Sequence, residues 1–221
     1  MARHFDLEEQ EQIAQLKHFW STWGALITWA LIIVMGAVTA WNGYRYWKTR
    51  QAQQAVALME AIEQGVQTKD VTRVQQALTD LRNDYPGTIQ AGQGALLAAR
   101  VFVTENRWDD AKGALRWLAD NASDEGYVAL AKLRLASVLM QEKAYDEALG
   151  LLSGGFPAEF AGVVADRRGD VYELQGKKQQ AIDEYRRAWS ALEEGIDYRN
   201  LIEAKLNALG AEVKSASGGA A

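Results

Sequence analysis

Cysteine is absent from this chain. That excludes disulfides, thiol catalysis and thiolate metal sites together. Histidine is nearly absent: His4 and His18 are the two, and both precede the long apolar run described below. Everything after residue 18 lacks Cys and His alike. Ser-His-Asp triads, Cys-His pairs and most zinc sites are thereby removed from it. Proline occurs twice, and the chain is rich in Ala, Leu, Gln, Glu and Arg, a balance that favours helix over strand. No stretch sustains apolar–polar alternation with β-branched residues, so strands are not expected. Positive charge is in deficit: 24 Lys and Arg against 29 Asp and Glu give a formal net charge of -5. Such a chain has no electrostatic footprint for nucleic acid, and none for adsorption to anionic lipid. There is no P-loop, no GxGxxG after a strand and no G-x-S-x-G. No cofactor and no enzymatic activity are expected.

Between Lys17 and Arg45 no residue carries a formal charge, counting His18 as neutral. Gly24 to Ala40 (GALITWALIIVMGAVTA) is almost wholly apolar. Phe19, Trp20 and Trp23 stand on one side of it, and Trp41, Tyr44, Tyr46 and Trp47 on the other. A helix needs roughly 20 apolar residues to cross a bilayer, and Trp and Tyr favour the headgroup level. The pattern predicts a membrane anchor over 19–47. The rival is a signal peptide cut after Ala40, but the preceding segment is long and acidic where a signal is short and basic. Gly36, Ala40 and Gly43 put small residues close to one face, which permits close helix contact. Lys and Arg counts at the two ends (Arg3 and Lys17; Arg45, Lys48 and Arg50) leave the topology open.

The expected organisation is an acidic tail at 1–18, the anchor at 19–47, a helical domain at 48–210 and a disordered tail at 211–221. After Arg45 the pattern becomes amphipathic, with Ala52, Ala55, Val56, Met59, Ile62 and Val66 at helical spacing up to about Gly65. Asp70 is the expected N-cap of the next helix, and Pro86-Gly87 its end. Breaks follow near Asn106, Ser123-Asp124, Lys143, Gly154-Gly155, Gly176 and Gly195, and a last helix at 197–208 is expected to cap the array.

These helices repeat. Gly169, Tyr172, Gly176, Ala181, Tyr185 and Ala188 fall at positions 8, 11, 15, 20, 24 and 27 of a tetratricopeptide unit, whose period is about 34. Earlier copies run from Ala136 (Leu139, Lys143, Ala148, Leu152) and Ala99 (Phe102, Asn106, Ala111, Leu115, Leu118). Segment 70–86 resembles a further second helix, but the helix before it does not match. The predicted fold is all-α: a single transmembrane helix followed by a tetratricopeptide-like helical-hairpin solenoid. An unrelated helical bundle is the alternative.

The carboxylate pairs Asp109-Asp110, Asp124-Glu125 and Glu193-Glu194 are neighbours in sequence and diverge on a helix. Asp109 and Asp124 are expected to serve helix N-termini. In an array of this kind the first helix of each hairpin lines a concave groove. That geometry turns Leu96, Arg100, Val103, Leu133, Ser137, Met140, Asp170 and Glu173 toward the groove as candidate protein-binding residues. Several of them have an alternative place in the core or in solvent. The anchor candidates are Trp23, Gly36, Ala40, Trp41 and Gly43.

Taken together, FDLEEQEQIAQLKHFW before the anchor, GYRYWKTRQAQQA after it and AGVVADRRGDVYELQGKKQQAIDEYRRAW near the end resemble the YfgM-type ancillary subunits of the bacterial Sec translocon. The resemblance implies a single-pass inner-membrane protein with its repeat domain in the periplasm. It implies Sec translocon subunits, a PpiD-type membrane-anchored chaperone and unfolded exported proteins as partners, and a role in their release and folding. A scaffold for another envelope assembly (cell division, pilus or outer-membrane biogenesis) is the alternative.

Overall fold

The computed structural model describes residues 7–193 and 195–211. Glu194, and the tail expected beyond Ala211, lie outside the described residues. Among the described residues there are nine α-helices, one 3-10 turn and no strand. They are α1 (Leu7–Thr68), α2 (Val71–Asp84), α3 (Ile89–Thr104), α4 (Trp108–Asn121), α5 (Glu125–Gln141), α6 (Tyr145–Leu151), α7 (Ala161–Leu174), α8 (Lys178–Ala191) and α9 (Asp197–Ala208). Two compact units divide between Gln51 and Ala52.

In the first unit α1 exposes its apolar side chains. Trp23, Ile33 and Trp41 are 51%, 67% and 62% exposed, and no neighbour comes within 4 Å of the Cβ positions at Gly36 and Gly43. Ala40 is exposed as well. This stretch is long and apolar enough to cross a membrane, with a mean hydropathy of 1.9. Its threonines are compatible with lipid. Thr28 and Thr39 donate their hydroxyls to the carbonyls of Gly24 and Met35, at 2.7 and 2.8 Å, so neither carries an unpaired polar group.

In the second unit the helices pair as hairpins. The end of α1 meets α2 where Gly65 faces Val74, α3 pairs with α4, α5 with α6, and α7 with α8; α9 follows α8. The inner helices α3, α5 and α7 pack in succession, and each outer helix also packs on the next inner one. The repeat is written in the backbone. Asn106, Lys143 and Gly176, all at repeat position 15, adopt φ of 57°, 61° and 73°. Each turn closes through the same bond: Arg107 N–H to Phe102 O, Ala144 N–H to Leu139 O, and Lys177 N–H to Tyr172 O, at 2.7–2.9 Å. Lys69 (φ 57°) and the bond from Asp70 N–H to Gly65 O repeat it between α1 and α2. The first hairpin is therefore a fourth copy of the same turn.

Asp70 caps α2 by accepting from Arg73 N–H at 3.0 Å, and Asp124 caps α5 by accepting from Tyr127 N–H at 3.1 Å. Asp109 makes no cap bond; it pairs with Lys112 at 3.0 Å within the first turn of α4. One apolar core runs from Ala55 and Ile62 to Val164 and Val171, and a second joins α7, α8 and α9 around Tyr185, Ile202 and Leu206. In α9 the buried face is Ile202 and Leu206, while Leu201 is 48% exposed. Ala211 is buried in the second core, so the packed chain extends into the segment expected as tail.

Candidate functional site

The inner helices α3 and α5 meet along a seam that carries two cavities. One, of about 510 Å³, is lined by Ala99, Arg100, Val103, Thr104, Trp108, Leu115, Arg134, Ser137, Val138 and Gln141. The other, of about 550 Å³, is lined by Leu96, Leu97, Arg100, Tyr127, Leu130, Arg134 and Phe160, among others. Arg100 and Arg134 belong to both. Arg134 also ties the two helices together, donating from Nη1 to the Leu96 carbonyl at 3.3 Å. The walls around these two cations are mostly apolar, with Thr104, Ser137 and Gln141 in one cavity and Gln93 and Asp124 in the other, so the seam offers apolar contact beside positive charge.

Four of the eight groove candidates line these cavities: Leu96, Arg100, Val103 and Ser137. Leu96 does so while 8% exposed, mostly within the core. Leu133 is buried and Met140 is half-buried against the same core; neither lines either cavity. Asp170 and Glu173 lie elsewhere, on α7. Tyr185 places its hydroxyl 2.8 Å from Asp170 Oδ1 and 2.6 Å from Glu173 Oε2, and these two carboxylates accept from it. The groove set therefore separates into a seam group, a core pair and an α7 pair. Helical spacing aligned all eight on one side, but α7 is overlaid by α9, whereas among the described residues no helix lies over the α3–α5 seam in the same way.

That cover creates a polar cluster that no spacing along a single helix reveals. Lys205 of α9 reaches over α7, donating to Asp166 at 2.6 Å and to Asp170. Tyr198 donates to the other oxygen of Asp166, which is 1% exposed. Burial first, then the hydrogen bond to Glu173 and the charge of Asp170, push the Tyr185 phenol far above its ordinary range. Burial and the bond to Asp166 do the same to Tyr198. The cluster fastens α9 onto the last hairpin. Its phenols hold their protons tightly, which suits fixed donors and not proton transfer.

Among the described residues no group of three or more His, Asp or Glu could hold a metal ion. Arg134 was missed by sequence reasoning. Its position one residue after Leu133 gave no signal, because only the crossing of α3 and α5 brings it between the cavities.

A tetratricopeptide repeat-like domain family matches residues 17–211. A protein of Neisseria gonorrhoeae named ancillary SecYEG translocon subunit is 35% identical over 213 residues, covering 95% of this chain and 100% of its own. Proteins of the same name from Escherichia coli and Haemophilus influenzae are 29% and 27% identical, covering 83% of this chain and 86% and 90% of theirs. Among solved structures, BtubC (BKLC) from P. vanneervenii shares the fold, with a TM-score of 0.53 over 74% of this chain and 80% of that one at 20% identity.

Proposed function

This chain belongs to the tetratricopeptide repeat-like family of ancillary SecYEG translocon subunits, and from that premise we propose that it acts as a non-enzymatic adaptor for exported proteins. The observation that carries the proposal is the full-length match to a translocon subunit. The exposed apolar stretch of α1 makes it a membrane-anchored protein. The repeat domain faces the periplasm. The one-charge excess of Lys and Arg on the domain side of the anchor runs slightly against this orientation, but long domains translocate largely regardless of such differences.

Within this reading the α3–α5 seam holds unfolded exported segments. Its walls take apolar side chains, and Arg100 and Arg134 favour segments that carry a carboxylate. A PpiD-type chaperone is the expected neighbour on the same membrane face. Such an adaptor needs surface and placement, not a nucleophile or general base. The lack of Cys and His after residue 18 suits that role.

The test is purification of the full-length protein from membranes in mild detergent, beside a variant whose span is replaced by an unrelated one, with the bound proteins identified by mass spectrometry. Translocon and chaperone subunits that leave only with the native span support the proposal and assign docking to the anchor. A different envelope complex retained by both forms sinks it in favour of a scaffold. Protease added outside spheroplasts must digest the repeat domain; protection of that domain reverses the orientation.

A further inference from the structure

The hairpins of the solenoid share one plan, and one outer helix departs from it. Helices α4 and α8 each run 14 residues, but α6 runs 7. Leu115, Leu152 and Tyr185 occupy the same repeat position, and all three are buried. Beyond it α4 and α8 continue to Asn121 and Ala191. Beyond Leu152 the chain instead turns through Ser153, Gly154 and Gly155 toward Phe156 and Pro157. Gly155 takes φ 72°, which a side chain resists, and Pro157 cannot donate to a continuing helix. The outer layer is short by two turns, about 10 Å at 1.5 Å per residue.

A cavity of about 380 Å³ lies where those turns are missing, between the 152–158 loop, α7 and α8. Ala161, Val164 and Ala165 form its apolar side; Arg168, Glu184 and Arg187 form its polar side. Position 184 is the unusual one. Its equivalents in the two preceding hairpins are the apolar Ala114 and Leu151, yet Glu184 is 5% exposed. Its Oε1 takes Arg187 at 2.9 Å and Arg168 at 3.1 Å. Its Oε2 is buried with no hydrogen-bond partner among the described residues. A buried carboxylate oxygen without a donor is costly, and native proteins rarely keep one without use. The loop does not close over the cavity. Lys132 holds it from α5, with Nζ 3.4 Å from the Gly155 carbonyl and 5.4 Å from the centre of the Phe156 ring.

We infer that this gap is a docking site for a short amphipathic helix of a partner protein, which completes the outer layer of the third hairpin, α5–α6. The missing two turns select a helix. The aliphatic side chains of that helix lie on Ala161, Val164 and Ala165. Two guanidiniums against one carboxylate leave the wall net positive, so the partner brings an acidic side chain to Arg187 and Arg168. An N–H or O–H beside it satisfies Glu184 Oε2. The site lies in the outer layer, and it stands independently of what the α3–α5 seam holds.

The experiment uses the full-length protein in detergent micelles. It is titrated with fluorescent helical peptides of about 15 residues, long enough to hold a helix. The peptides share one aliphatic stripe and differ at one position: Glu, Gln or Lys. The Glu peptide is expected to bind at least about tenfold more tightly than the Lys peptide, and Arg187→Glu to reverse that order. Ala161→Trp, which fills the cavity from an exposed position, is expected to abolish binding of all three. The melting temperature should stay within about 2 °C of the parent, the shift that a change below 1 kcal/mol gives in a domain of this size. If Ala161→Trp fails to fold, Ser153→Trp on the exposed loop takes its place. Equal binding of the Glu and Lys peptides overturns the inference, as does binding that survives both tryptophans. Self-association of the protein that either tryptophan abolishes also overturns it, and assigns the gap to a second copy of this chain.

Discussion

Gly169 faces the ring of Tyr185 so closely that a Cβ at position 169 would lie 2.5 Å from both Cδ1 and Cε1 of that ring. The two residues sit on opposite helices of the last hairpin, at repeat positions 8 and 24. Tyr185 is fully buried and its hydroxyl is engaged by Asp170 and Glu173, so the ring has nowhere to retreat. Gly169→Ala should destabilise the protein by about 1–3 kcal/mol, although alanine is by itself the better helix former. Thermal unfolding followed by circular dichroism checks this. Tyr185→Leu in the same chain should recover part of the loss, and an additive result would show that the ring is not the obstacle.

The raised phenols make stability fall at alkaline pH. Unfolded tyrosine titrates near 10, whereas Tyr185 and Tyr198 keep their protons well above that in the folded protein. Below pH 10 both states hold these protons, and the contribution is present in full. Above pH 10 the unfolded state releases them first, so stability declines by up to about 1.4 kcal/mol per pH unit for each phenol. Urea midpoints measured from pH 8 to 11 should drop above 10, and Tyr198→Phe should flatten the drop. A parallel decline in parent and variant would remove Tyr198 from the account.

Lys205 is the cation between Asp166 and Asp170. Lys205→Met keeps the length of the stem and leaves Asp166, with its side chain 2% exposed, short of its counter-charge. The expected loss is about 2 kcal/mol. That is below the 3–5 typical of a fully buried pair, because Lys205 is partly exposed and Tyr198 still donates to Asp166. Chemical denaturation is the measurement; a loss under about 0.5 kcal/mol would mean that solvent already screens the pair.

Filling the α3–α5 seam should block client capture without unfolding the domain. Ser137 is half-buried in the cavity of about 510 Å³ that Arg134 also lines, and Ser137→Trp places an indole there. Site-specific crosslinking from position 103 to arrested export intermediates should fall to background, with stability changed by about 1 kcal/mol or less. Undiminished crosslinks would assign the clients to another surface.

The anchor and the later hairpins were legible because each rests on local chemistry. An uncharged apolar run with aromatic borders is readable residue by residue, and so is a turn residue followed five positions later by a small one. In the first hairpin the helices and the Asp70 cap were legible but the repeat was not, and Gly65 and Val74 show why. Their repeat positions, 11 and 20, normally carry a large and a small residue. Here the sizes are exchanged: a Cβ on Gly65 would meet Val74 Cγ2 at 2.8 Å. The contact is kept while the pattern is inverted, so a search for the pattern passes over it. Packing of the same kind recurs at Gly94, where Leu81 and Ile62 close in from two helices, at 2.8 and 2.9 Å from its would-be Cβ.

By itself the sequence determined the anchor, the all-α fold, the turn positions and the shortage of catalytic side chains. Each of these follows from the residue inventory or from spacing along one helix. Tertiary structure alone decided which candidates share a cavity, because Arg100 and Arg134 lie 34 residues apart and meet only where α3 crosses α5. It alone brought α9 over α7, drawing Asp170 and Glu173 into a cluster with Tyr185 and Lys205. It also turned the early end of α6 into a cavity beside Glu184. Helical periodicity fixes which side of a helix a residue occupies, but only packing between helices fixes what stands opposite.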